Sequence, residues 1–105
     1  GHESHPQHDL VMAQMRNGGT MLSFDVKGGK DAAFRVLNAL QIALISNNLG
    51  DAKTIATPPA ATTHQRLPDA QKEMLGITPG LIRLSLGIED ADDLIADVLQ
   101  ALEQA

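Results

Sequence analysis

Hydrophobic and polar residues along the chain switch between two periods, and the switches divide it into short elements. Residues 20–26 alternate, with Leu22, Phe24 and Val26 on one side and Met21, Ser23 and Asp25 on the other, the signature of a half-buried strand. Residues 30–44 place Phe34, Leu37, Leu40 and Leu44 on one helical face, with Asp31 near the positive end of the helix dipole. Residues 80–88 alternate again. Ile82, Leu84, Leu86 and Ile88 form an apolar side, and Leu81, Arg83, Ser85 and Gly87 form the other. A final helix is announced by Asp90 as N-cap and by Asp92 and Asp93 in its first turn, with a stripe of Leu94, Ile95, Val98, Leu99 and Leu102.

Between these stand weaker signals. Pro6 to Met15 reads as a short helix stopped by Asn17-Gly18-Gly19, Ala52 to Thr57 as a short strand ended by Pro58-Pro59, and Asp69 to Leu75 as a short helix closed by Gly76. The stretch 58–67, rich in Pro, Ala and Thr, reads as an ordered loop. The order helix, strand, helix, strand, helix, strand, helix fits either a parallel doubly wound sheet or a small antiparallel or mixed sheet with helices on one face. Length does not decide between them.

Composition narrows the function classes. The 105 residues suit one domain with a single modest core. Phe24 and Phe34 are the only aromatics, so the core is aliphatic and there is no platform for stacking bases. A net charge of −5 with no Lys/Arg cluster argues against a nucleic-acid partner. No apolar run approaches the roughly 20 residues of a membrane helix. The absence of cysteine removes disulfides and thiolate metal sites and fits a cytoplasmic protein. The abrupt opening, with no initiator Met, points to a piece of a longer protein.

Most chemical motifs dissolve into structural ones. His2, His5 and His8 cluster, but Pro6 intervenes and a zinc site needs three or four ligands, so they read as surface histidines and no metal site is expected. Gly18-Gly19 and Gly28-Gly29 belong to no phosphate-binding pattern. The acidic run Glu89-Asp90-Ala91-Asp92-Asp93 reads as helix capping. Ser46 and His64 have no nucleophile elbow or third partner. Arg83 stands apart: it is a guanidinium in mid-strand between Ile82 and Leu84. Either it is a surface residue, or it is set to grip a carboxylate with two parallel hydrogen bonds.

Several segments, taken in order, resemble one family. Ser4-His5-Pro6-Gln7-His8, Gln14-Met15, Gly18-Gly19 and Leu22-Ser23-Phe24 look like the entry into the C-terminal domain of the Cys/Met-metabolism enzymes that use pyridoxal phosphate (PLP). Asn48-Leu49-Gly50-Asp51-Ala52-Lys53-Thr54, Pro59-Ala60-Ala61-Thr62-Thr63-His64 and Gly76-Ile77 resemble later family segments, and the run from Leu81 to Asp90 resembles the strand carrying the family's substrate-binding arginine. The similarity spans residues 3–104, and within the family it is greatest to enzymes acting on O-succinylhomoserine.

The resemblance implies an α+β fold, a small and mostly antiparallel sheet with helices packed on one face, forming a single substrate-carboxylate-binding domain over 1–105. It implies that Arg83 pairs with the substrate α-carboxylate, that Asn48 stands where many relatives have Ser beside that carboxylate, and that Thr63 lies near the substrate mouth. Pro58 stands where many relatives have His. The PLP lysine and the cofactor's other anchors are expected in a large domain absent from this chain, since none of Lys27, Lys30, Lys53 or Lys72 has the required context. The piece alone is therefore expected to hold no catalytic residue, bind no PLP and be inactive. The parent is expected to be a homotetramer in which sulfide replaces the succinyl group to give homocysteine, a step of methionine biosynthesis. A methionine gamma-lyase, a cystathionine synthase or lyase, an O-acetylhomoserine sulfhydrylase, and a stand-alone non-catalytic binding module are the alternatives.

Overall fold

The structure, a computed structural model, describes residues 2–46, 50–60 and 66–105. In chain order the elements are α1 (His8–Gln14), β1 (Met21–Asp25), α2 (Gly29–Ala39), β2 (Leu44–Ile45), β3 (Ile55–Thr57), α3 (Asp69–Met74), β4 (Leu81–Ser85) and α4 (Ala91–Leu102). The four strands form one sheet in the order β1-β4-β3-β2. β4 runs antiparallel to both neighbours, and β2 pairs parallel to β3. The fold is α+β with a small mixed sheet. Two of its three pairings are antiparallel, as the resemblance implied, and the doubly wound parallel alternative is set aside.

The alternation read in β4 sets Ile82 and Leu84 against the helices, whereas in β1 Leu22 stays 47% exposed and only Phe24 of its side packs on the core. Ile82 and Leu84 are buried in one cluster with Val36 and Leu37 of α2 and Ala101 of α4, and Phe24, Leu86, Val98 and Leu102 pack around it. That cluster is the helix-covered face. α1 and α3 bury none of their residues. No helix among the described residues is long and apolar enough to cross a membrane.

Four local expectations need correction. The helix expected over 30–44 stops at Ala39, and Leu44 instead begins β2, its N–H donating to the Thr54 carbonyl at 3.0 Å. The cause lies far away in sequence. Asp97 of α4, only 4% exposed, accepts from the N–H groups of Gln41 (2.8 Å), Ile42 (2.9 Å) and Ala43 (3.1 Å), so these cannot continue a helix. Gln100 adds a bond to the carbonyl of Ala39 at 2.6 Å, satisfying an end group that the helix leaves open.

The buried helix faces also differ from the expected stripes. α2 turns Ala32, Ala33, Val36 and Leu37 inward and leaves Phe34 exposed, because small side chains let the helix approach α4 and the sheet. In α4 the inward residues are Leu94, Asp97 and Ala101, while Ile95 and Leu99 are exposed. Finally, β4 ends at Ser85 and Ile88 lies outside the core, 87% exposed.

The start of α4 is as expected, with Asp90 accepting from the N–H groups of Asp92 (2.9 Å) and Asp93 (3.2 Å). Glu89, however, is no helix cap. It reaches back 35 residues to accept from the N–H of Thr54 (2.8 Å) and from its hydroxyl (2.7 Å).

Candidate functional site

On the face of the sheet away from the helices, the register sets three polar residues in one row. Arg83 in β4 lies between Ser23 of β1 and Thr57 of β3. Antiparallel partners share a face, so all three project from the same side. The neighbouring row is Met21, Ser85 and Ile55. Arg83 thus stands opposite the core built on Ile82 and Leu84, as the alternation of the sequence implied.

Arg83 is half-buried and lines a cleft of about 250 Å³ with Met21, Leu22, Ser23, Pro59, Ile77 and Leu81. The walls are mainly apolar and the floor is a rigid strand. A guanidinium there would meet an anion in a medium less polar than bulk water, which strengthens a charge interaction. Its planar fork matches a carboxylate with two hydrogen bonds, and the strand holds the stem in place. The arrangement can bind and orient an anionic ligand. Among the described cleft residues none is a general acid, base or nucleophile matched to bond breaking.

The two companions assigned to Arg83 by resemblance, Asn48 and Thr63, lie outside the described residues. Their flanks are placed. Ser46 donates its N–H to the Ala56 carbonyl at 3.1 Å, and Gly50 donates to the Ser85 hydroxyl oxygen at 3.0 Å. One attachment is to β3 beside Arg83 and the other to Arg83's own strand. Pro59, shortly before Thr63 in the chain, is a wall of the cleft.

The lysines are elsewhere. Lys30 sits over the Phe34 ring at 5.4 Å from its centroid, and Lys72 donates to the Ala60 carbonyl at 3.2 Å. Neither they nor Lys27 and Lys53 line the cleft, and neither does any carboxylate. Among the described residues the cleft thus offers neither the amine nor the acidic partner that the aldehyde and ring nitrogen of PLP need. Among the histidines, His2 and His5 use their Nδ1 atoms to accept from the N–H groups of Ser4 and Gln7, and no group of three metal-binding side chains occurs among the described residues.

A sequence profile of the family described as "Cys/Met metabolism PLP-dependent enzyme" matches residues 1–103. The chain belongs to this family. It is 47% identical to an O-succinylhomoserine sulfhydrylase of Pseudomonas aeruginosa over 97% of the chain, and 49% identical to a homocysteine synthase of Schizosaccharomyces pombe over all of it. An L-methionine gamma-lyase of Pseudomonas putida is 46% identical over 98% of the chain. The chain spans about a quarter of the length of each of these relatives, 25%, 25% and 26%. Membership in the Cys/Met PLP family agrees with the motif order read from the sequence.

Beyond the cleft, the site rests on residues that sequence reasoning passed over or misassigned. Thr54 is buried, and its hydroxyl oxygen also accepts from the N–H of Gly87 at 2.9 Å. Gly87 must be glycine for a further reason: a Cβ there would stand 2.2 Å from the Ala52 carbonyl oxygen. Only a spacing of 35 residues between Glu89 and Thr54 links them in sequence, and no local pattern reports it.

Two carboxyls in this framework titrate below the ordinary range. Glu89 is lowered first by the Thr54 N–H, then by the Thr54 hydroxyl, its own N–H and the Lys53 charge, against a desolvation that raises it. For Asp97 burial pushes upward, but the N–H groups of Gln41, Ile42 and Ala43 and the Gln100 amide together outweigh it and bring the carboxyl down. A folded-state value below the unfolded one means that the ionised form is tied to the folded chain. This stability is complete above about pH 5 and drains away as pH falls through the ordinary value near 4 toward the lowered folded ones. Urea midpoints should therefore be flat above about pH 5 and fall in more acid solution. Asp97→Asn should make the acid limb shallower, and an unchanged limb in that variant would contradict the assignment.

Proposed function

We propose that this chain is the substrate-carboxylate domain of a longer PLP-dependent enzyme, in which sulfide replaces the succinyl group of O-succinylhomoserine to give homocysteine. The observation that carries this reading is the position of Arg83, half-buried on the helix-free face between Ser23 and Thr57 at a cleft with apolar walls. In the full protein the guanidinium holds the α-carboxylate of the amino acid and so fixes the orientation of its Cα. That is a positioning role, and correct orientation alone can lower a barrier by several kcal/mol. The rest of the relatives' length, about three quarters, is where the cofactor's anchors belong in this reading. Kinship with an O-succinylhomoserine sulfhydrylase at 47% identity supports the substrate assignment.

A second reading follows from the L-methionine gamma-lyase relative at 46% identity: in it the same grip by Arg83 serves a lyase reaction. The test is a panel. Full-length protein loaded with PLP should form homocysteine from O-succinylhomoserine and sulfide, with a higher kcat/KM than for release of a thiol from methionine or for cleavage of cystathionine. Faster turnover of methionine would replace the first reading with the second.

A further inference from the structure

β3 has only three residues, yet it supplies both Thr57, next to Arg83 in the polar row, and the lead into Pro59 on the cleft wall. So short a strand has few ladder bonds to hold it against β4. The chain segments beyond each strand provide the missing ones. Gly50 donates to the Ser85 hydroxyl oxygen at 3.0 Å, Ile88 donates to the Ala52 carbonyl at 2.9 Å and Gly87 donates to the Thr54 hydroxyl oxygen at 2.9 Å. Both Thr54 donors end on the two oxygens of Glu89. Residues 50–54 are thereby braced against 85–89, immediately before β3 begins. Two of its members are buried, Ser85 at 2% exposed and Thr54 at 1%, while Glu89 is half-buried.

We propose that Glu89, acting through Thr54 and together with Ser85, is a positioning residue for the carboxylate cleft. It fixes where β3, and with it Thr57 and Pro59, stands against Arg83. Thr54 lies three residues before Thr57, so a shift at the brace is carried along the strand to Thr57, beside Arg83, and on to Pro59 at the cleft wall. Sites held to within fractions of an ångström by such support lose function when the support loosens. Glu89 does not line the cleft, and in this proposal its effect reaches the ligand only through the Arg83 geometry.

This deepens the reading of Arg83 as a carboxylate site and rests on it. The experiment uses the full-length, cofactor-loaded protein and two probes, L-norleucine and 1-pentylamine, which differ only in the carboxylate. Glu89→Ala should weaken L-norleucine roughly tenfold while changing 1-pentylamine by less than about twofold. Glu89→Gln, which keeps one carbonyl acceptor for Thr54, should recover much of the difference. An equal loss for both probes, or no loss for either, overturns the positioning role, since a purely structural residue would not distinguish an acid from its amine. Arg83→Ala, measured alongside, separates the two claims. If it discriminates between the probes and Glu89→Ala does not, only the brace fails; if Arg83→Ala does not discriminate, the carboxylate site itself falls. Should Glu89→Ala not accumulate as folded protein, Ser85→Ala opens the other end of the brace and is judged on the same pair of probes by the same outcomes.

Discussion

Arg83→Ala in the full-length protein is expected to lower kcat/KM for the amino-acid substrate by a factor on the order of a hundred or more. Truncating one partner of a desolvated charge pair typically costs about 2–5 kcal/mol, and each 1.4 kcal/mol is about tenfold in rate. Arg83 sits half-buried at a cleft walled by Met21, Leu22, Pro59, Ile77 and Leu81, which limits how well water replaces the lost partner. Arg83→Lys should recover only part of the loss. Its ammonium keeps the charge but not the planar fork, so one of two parallel hydrogen bonds goes. The loss should fall mainly on KM if the carboxylate is gripped equally throughout the reaction, and on kcat as well if the grip tightens at the transition state. Steady-state kinetics of the three proteins decide it, and an unchanged kcat/KM in Arg83→Ala would remove the role assigned to this residue.

The second large effect is on stability. Asp97→Ala should destabilise the protein by about 3 kcal/mol, read as a lower urea midpoint at constant slope. The carboxylate, 4% exposed, is the acceptor for three consecutive backbone N–H groups and for the Gln100 amide. Removing it leaves buried donors without a partner, which costs more than the bonds themselves contribute. Asp97→Asn is the sharper comparison. It preserves shape, yet its amide must turn an NH₂ group toward donors, so it too should be destabilised, by about 2 kcal/mol. Stability within about 0.5 kcal/mol of the parent in both variants would show that solvent satisfies the turn and that the carboxylate is not its cap.

Both effects fall on residues whose importance was unequally visible along the chain. Arg83 was conspicuous because a charged residue in an alternating run is assigned a face by arithmetic: with a period of two, whatever Ile82 and Leu84 do, Arg83 does the opposite. The sheet confirms that assignment. Asp97 offered no such clue. It follows Ala96 in a helix already rich in aspartate, and its partners at 41–43 are more than fifty residues earlier.

Local pattern determined the two strong strands, the capped start of α4 at Asp90, the order of the elements and the face on which Arg83 and Ser85 lie, because each depends on neighbours within a few residues. It also carried the family, since several short segments in a fixed order are a property of the string itself. Tertiary structure alone decided the rest. The periodicity of Leu37, Leu40 and Leu44 would have carried α2 on to residue 44, but a carboxylate from α4 diverts the N–H groups it needed, and Leu44 joins a two-residue strand. Likewise Glu89 belongs by sequence to a helix cap and by contact to Thr54. A buried hydrogen-bonding group must find a partner wherever the fold supplies one, and when that partner is distant in the chain no periodicity announces it.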